Sequence, residues 1–417
     1  MDNSWLAKLG PGLVTGAADD DPSGIATYSQ AGAQFGFNLL WSILLTYPLM
    51  VAIQIVSASI GRVSGHGFAT NIRRSYPSWL LYIIVALLLI ANIINIAADI
   101  SAMGDVLKLL IGGPARWYAA GFGVFSVLLQ VFIPYTNYVR VLKWLTLVLL
   151  AYVASAFALN IPWSDVLRNT VMPHLSWHRD YMTALVAVLG TTISPYLFFW
   201  QASEEVEEIK ADPEAEPVKK APDQARQNLK RIKIDTFVGM GFSNLVAFFI
   251  MLTTAVALHS HGVTSIDTSA QAASALRPLA GKFAFALFAI GIIGTGLLAL
   301  PVLAGSAAYA MAGAFKWRNS LELKPSLAKA FYSVIILATL GGIALSFTSL
   351  DPIRALFWSA VINGVISAPI MMVAMLLATN STIMGQFVIG RTLKLFGWLA
   401  TGLMVIPVLV MLYTLIW

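Results

Sequence analysis

The sequence predicts an all-α integral membrane protein, arranged as two inverted five-helix halves with one additional helix at the end. Three observations carry that expectation. Apolar stretches about 20 residues long, the thickness of a bilayer core, recur along the chain. Two of them, five crossings apart, are interrupted by proline and polar residues. Lysine and arginine fall mostly on one side of the implied membrane. Apolar residues make up 58% of the 417 and charged ones 11%, about half the charged share of soluble domains, which excludes an ordinary soluble class. Cysteine is absent, so disulfides, thiolate metal sites and thiol nucleophiles are excluded together.

In chain order, crossings are expected near 9–34 (broken), 38–60, 79–103, 117–134, 141–160, 182–201 (broken), 237–258, 283–312, 327–347, 355–378 and 396–416. The first lacks a basic leader and runs straight into an acidic break, so it reads as a span and not as a cleavable signal. With the N-terminus in the cytoplasm, 19 of the 26 Lys and Arg lie inside and 7 outside. That bias orients the chain and, with an odd number of spans, puts the C-terminus outside. The expected organisation is a first repeat over 1–160, a second over 161–378 and an extra helix in 379–417, in a bacterial cytoplasmic membrane. The long polar stretch 203–235, with Glu204, Glu205, Glu207 and Glu208 ahead of its basic residues, reads as a hydrated cytoplasmic connection.

The first break is Asp19-Asp20-Asp21-Pro22-Ser23-Gly24, set between apolar residues on both sides. Charge and broken backbone persist at membrane depth only where they line a cavity or bind something. A cluster of oxygen ligands without sulfur suits a hard cation. The second break is Gly190-Thr191-Thr192-Ile193-Ser194-Pro195-Tyr196, where the proline frees carbonyls in the preceding turn. Interrupted segments at corresponding places in two halves mark an inverted-repeat transporter whose site lies at mid-membrane. Five is odd, so the second half crosses in the opposite sense, as that architecture requires. Prolines also occur at Pro48, Pro134, Pro301, Pro369 and Pro407; it is proline joined to carboxylates or hydroxyls that singles out the two breaks.

The run GPGLVTGAADDDPSGIATYSQAGAQFGFNLLWSILL resembles the first helix of the natural resistance-associated macrophage protein (NRAMP) metal transporters. ANIINIAADISAM is similar to their third helix, GTTISPYLFFWQAS to their sixth and GIIGTGLLALPVLAGSAAYAMAGAF to their eighth. The resemblance spans nearly the whole chain. It implies the LeuT-type fold, with a divalent metal bound between the unwound parts of helices 1 and 6. Carried over to this sequence, the metal-site positions are Asp21, Gly24, the carbonyl of Thr191, and Ser194, with Asp20 added from the break itself.

The departures from the family pattern bear on the ion. The family's Asp-Pro-Gly-Asn reads Asp21-Pro22-Ser23-Gly24, so the asparagine ligand is replaced by Gly24. Its Met-Pro-His reads Ser194-Pro195-Tyr196, its second helix-six histidine aligns with Gln201, and its helix-three Asp-x-x-Glu keeps Asp99 but has Ala102. Asp19 and Asp20 occupy places that are apolar or aromatic in the family. A thioether favours manganese and iron over harder ions, so Ser194 in its place removes that discrimination. A wider, oxygen-lined site suits Mg²⁺, which dehydrates reluctantly, and the pattern resembles that of the NRAMP-related magnesium transporters. Loss of the histidines and the glutamate argues for uptake without proton coupling. A divalent ion moving down the membrane potential gains ~4.6 kcal/mol per 100 mV, so no second driving ion is needed. Mn²⁺ is expected to be admitted as well.

Bland readings stand beside each of these residues. Three neighbouring carboxylates repel one another, so one of them faces a vestibule or caps a half-helix in the alternative reading. The Ser194 hydroxyl serves its own helix in the alternative reading, and Asn363 either offers an amide to the pocket or joins two helices. Asp99 either lines an access path or pairs with a polar neighbour. The pairs His174/His178 and His259/His261 fall in outer loops without a carboxylate partner in sequence and read as incidental. Gly291, Gly294 and Gly296 lie inside an apolar helix and serve packing. The rival readings are a proton-coupled Mn²⁺/Fe²⁺ importer and a small-molecule symporter of the same fold; three aspartates at the break oppose a carboxylate-bearing cargo. An intramembrane aspartyl hydrolase would need a second catalytic aspartate in a Gly-x-Gly-Asp segment, which is absent. No enzyme activity, cofactor or nucleic-acid partner is expected; the partners are the cation and the lipid bilayer.

Overall fold

The computed structural model describes residues 15, 16, 18–134, 137, 144, 146–348 and 351–416. The start of the expected first crossing (9–14) and most of the start of the fifth (141–145, Trp144 excepted) lie outside the described residues, as do Lys8, Arg140 and Lys143 of the charge count. Among the described residues all regular structure is helical. Among these residues nine helical stretches are long and apolar enough to cross a membrane. The expected first and fifth crossings are not among these nine. The first is cut by its acidic break, leaving α1 (Pro22–Phe35) of 14 residues. The fifth is described only as a turn, Thr146–Leu149, leading into α6 (Leu150–Ala158).

The remaining elements are α2 (Leu40–Ser64), α3 (Phe68–Ser75), α4 (Ser78–Ile111), α5 (Ala115–Phe132), α7 (Trp163–Val171), α8 (Arg179–Thr192), α9 (Pro195–Ala211), α10 (Ala225–Ala257), α11 (Ala284–Phe315), α12 (Lys329–Ser346), α13 (Pro352–Thr379) and α14 (Arg391–Ile416). Both breaks are where the sequence puts them. Asp20 and Asp21 are non-helical between Asp19 and Pro22, and Ile193 and Ser194 separate α8 from α9. In each case a proline opens the second half-helix at a position where its missing N–H costs nothing.

Close backbone approach sets the two broken segments into the bundle. α1 lies against α8, α10 and α13, and α8 lies against α13. A Cβ at Gly190 would stand 2.2 Å from the carbonyl oxygen of Ala360, and one at Gly32 would stand 2.3 Å from that of Met251. Only glycine admits such crossings, and they fix the depth at which the two breaks face each other. The 34-residue α4 is about 51 Å long at 1.5 Å per residue, so it outreaches a bilayer core and carries Asp105 to the segment between α10 and α11. There the Ser269 hydroxyl donates to Asp105 Oδ2 at 2.6 Å, the Ile266 amide donates to Gln30 Oε1 at 2.9 Å, and Arg354 pairs with Asp267 at 3.1 Å. The segment between α10 and α11 is thereby held over the top of α1.

The stretch 203–235 departs from expectation. It is not a free hydrated loop: α9 continues through Ala211 and α10 begins at Ala225, so only 212–224 connects them. Glu205 is fully buried and meets Arg231 at 2.6 Å; Arg231 also meets Glu208 at 2.8 Å, and Arg62 lies 3.8 Å from Glu208. In sequence, four glutamates in five residues read as a solvated face. In space, the first turns of α10 return an arginine to them, and a buried carboxylate needs such a partner.

Candidate metal site

Asp21 caps α1. Its Oδ1 accepts hydrogen bonds from the Gly24 amide at 2.8 Å and the Ser23 hydroxyl at 2.7 Å, while its Oδ2 accepts one from the Tyr196 hydroxyl at 3.1 Å. Tyr196 sits on the first turn of α9, so this bond joins the two breaks directly. An ionised carboxylate has about four lone-pair sites, so three donors leave room for a cation. At this point the cap also satisfies an orphan amide of the half-helix.

Asp19 and Asp20 turn toward α10. Ser243 Oγ lies 2.7 Å from Asp19 Oδ2 and 3.1 Å from Asp20 Oδ1. The other oxygens, Asp19 Oδ1 and Asp20 Oδ2, are buried without a partner among the described residues. Asp99, on α4, lies within electrostatic reach of Asp21, is fully buried, and has neither carboxylate oxygen bonded among the described residues. Unpaired buried acceptors of this kind are costly unless a donor or cation meets them.

At the second break the Ser194 hydroxyl points back into its own helix, 2.9 Å from the Thr191 carbonyl oxygen and 3.2 Å from that of Gly190. The Thr191 carbonyl stands four residues before Pro195, which has no amide hydrogen to offer it. The Ile193 carbonyl accepts instead from Ser367 on α13, at 2.8 Å. Among the described residues Thr191 Oγ1 has no partner, and a Cβ added at Gly24 would stand 3.1 Å from it. Gly24 and Thr191 are therefore face to face across the two breaks, so close that even a methyl group at position 24 would crowd the Thr191 hydroxyl.

The structure thus brings Asp21, Gly24, Thr191 and Tyr196 together and keeps Ser194 beside Thr191. Asp20 is directed at Ser243, alongside Asp19. Asp19, Asp20, Asp21, Thr191 and Ser194 are each no more than 1% exposed, so the region is shut off from bulk water. Among the described residues no group of three His, Asp or Glu side chains has the spacing to hold a metal. Any cation here relies on hydroxyls, carbonyls and water in addition to carboxylate. Asn363 joins two helices, accepting from Asn95 Nδ2 at 3.0 Å, though its own amide nitrogen is unpaired. His259 Nδ1 contacts the Ala33 carbonyl at 2.8 Å. Thr15 donates to Gln201, where the family pattern has a histidine.

Sequence reasoning missed Ser243 and Ser367, and took Tyr196 only as a lost histidine. A hydroxyl or phenol in an otherwise apolar helix is the signal for such residues, but sequence alone does not say which carboxylate or carbonyl they face.

Comparison with known proteins agrees with this architecture. The sequence profile of the Natural resistance-associated macrophage protein-like family matches residues 12–414. A Klebsiella pneumoniae protein named divalent metal cation transporter MntH is 26% identical over 411 residues, covering 96% of this chain and 92% of its own. The Eremococcus coleocola manganese transporter, solved with an aromatic bis-isothiourea compound, superposes with a TM-score of 0.77 at 18% identity, covering 98% of this chain and 87% of that one. Mhp1, a nucleobase-cation-symport-1 family transporter in a closed conformation, superposes with a TM-score of 0.61 at 12% identity, over 98% and 92% of the two chains. These likenesses establish the LeuT-type fold of two inverted five-helix repeats, helices 1 and 6 broken, with an eleventh helix. With the family profile covering nearly all of it, the chain belongs to the Natural resistance-associated macrophage protein-like family.

Proposed function

We propose that this protein is a divalent metal-ion transporter that imports Mg²⁺, and admits Mn²⁺, by alternating access and without proton coupling. The observation that carries this reading is the chemistry of the two breaks. Asp21 supplies charge, Thr191 and Ser194 supply neutral oxygen, and Gly24 brings no side-chain ligand of its own; no sulfur or imidazole stands at the family's ligand positions. Such a lining favours a hard ion that keeps part of its water shell. Asp20, with one oxygen free, receives hydrogen bonds from that shell. The transported ion is the cargo, and no resident cofactor is invoked. The repeats run over 1–160 and 161–378, with 379–417 as the additional helix, in a cell membrane with the N-terminus inside and the C-terminus outside.

A second reading, a proton-coupled Mn²⁺ importer, draws on the relatives described as manganese or divalent-metal transporters and on the unpaired carboxylate of Asp99. Uptake into proteoliposomes separates the two. Mg²⁺ uptake without lumenal acidification supports the first; Mn²⁺ uptake with acidification, and no Mg²⁺ transport, overturns it in favour of the second.

A further inference from the structure

Away from the two breaks, a groove of about 590 Å³ opens between α2, α10 and the chain that leads into α14. Two cations line it, Lys233 of α10 and Arg391, the first residue of α14; the rest of the wall is mostly apolar, with Val51 and Ile55 of α2, Leu229 and Phe237 of α10 and Phe396 of α14. Both cations are exposed, and among the described residues neither has an ion-pair partner. The start of the 26-residue α14, at Arg391, leaves first-turn amides beside that cation.

We propose that this groove is a binding site for an anionic phospholipid, with the phosphate held between Lys233 and Arg391 and an acyl chain lying along α2. Charge complementarity selects the headgroup: basic pockets between transmembrane helices on the cytoplasmic side bind anionic lipid heads. Shape selects the chain. From Ser59 to Val51 the α2 wall extends about 12 Å, with Val51, Ala52 and Ile55 along it, which is a path for an acyl tail and of no use to a free anion. The bound lipid bridges α10 to α14. It does so independently of which ion the protein carries.

The test is thermal unfolding of the full-length protein in a neutral detergent, with phosphatidylglycerol, phosphatidylcholine or glycerol phosphate added. The expected result is a rise in melting temperature with phosphatidylglycerol alone, lost in the double variant Lys233→Gln/Arg391→Gln. An equal rise with phosphatidylcholine, an equal rise with glycerol phosphate, or a rise that survives in the double variant would each overturn the proposal. Native mass spectrometry of Ala52→Trp, which fills the groove and leaves both cations in place, gives an answer that does not need the double variant to fold. Fewer phosphatidylglycerol molecules retained than by the unsubstituted protein is the supporting outcome, and undiminished retention the contrary one.

Discussion

The two breaks are built on one plan and differ in what they hold. Each is a cap residue followed by proline at the first turn of a half-helix, Asp21-Pro22 in one and Ser194-Pro195 in the other. Asp21 turns forward and accepts from the amide of Gly24, so the start of α1 is satisfied from within. Ser194 turns backward, toward the carbonyls of Gly190 and Thr191, and leaves the start of α9 without a side-chain cap. The first break therefore concentrates negative charge, with Asp19 and Asp20 beside it, while the second presents only neutral oxygen. On the proposed function, charge would set whether a cation binds at all and the neutral side would tune which one. A symmetric fold has been given two unlike halves of a site by a handful of side chains.

The largest expected effect removes the charge of the first break. Asp21→Ala is expected to abolish uptake and to lower stability by about 1 kcal/mol through the lost cap. Asp21→Asn keeps an oxygen for the Gly24 amide and loses the charge and the acceptor that meets the Tyr196 hydroxyl, so it should abolish uptake while keeping the cap. Transport retained by either variant in proteoliposomes would remove Asp21 from the site. Next, Ser194→Met places a thioether on the neutral side and should shift the Mg²⁺/Mn²⁺ preference toward Mn²⁺ by about tenfold, or 1.4 kcal/mol. An unchanged ratio in competition uptake would mean that the second break does not choose the ion.

Smaller effects sharpen the contrast further. Ser243→Ala takes the hydroxyl from between Asp19 and Asp20, and a buried acceptor left unmet costs about 1–3 kcal/mol. The expected outcome is a lower melting temperature that added Mg²⁺ partly restores; a melting curve indifferent to Mg²⁺ would leave both aspartates outside the ion's reach. Gly24→Ala introduces a Cβ 3.1 Å from Thr191 Oγ1. A contact that tight makes the Thr191 hydroxyl give by a few tenths of an ångström, and a reduction in Mg²⁺ uptake of about threefold, under 1 kcal/mol, is the expected size. No reduction would show that the space between the breaks is not where the hydrated ion sits.

Much of this was legible before any coordinates. Apolar length gave the helices, and carboxylate or hydroxyl joined to proline gave both breaks, because each of those signals is local. Partners across the fold were not legible. Ser243 lies more than two hundred residues from Asp19, and nothing in its surroundings separates it from a serine that bonds its own helix. Tyr196 could be aligned with a missing histidine, but its bond to Asp21 depends on how the two half-helices meet. The polar stretch after Ser203 misled for the opposite reason: four glutamates look hydrated until Arg231 is folded back upon them.

That same junction has a practical consequence for anyone cutting or labelling the chain. The connector between α9 and α10 is pinned partway along, where the amides of Val218 and Lys219 donate to the carbonyls of Arg62 and Val63 at 3.1 and 3.2 Å. Val218 is fully buried, and Pro217 packs against Gly65, which holds φ +68° at the end of α2. Asp212, Pro213 and Glu214, by contrast, are exposed. A protease site or fluorescent tag inserted at 212–214 leaves the ion-paired helices docked to each other. The same insertion five residues later would pry the connector from α2, so an innocuous label and a disabling one are separated by little more than one turn's length of sequence.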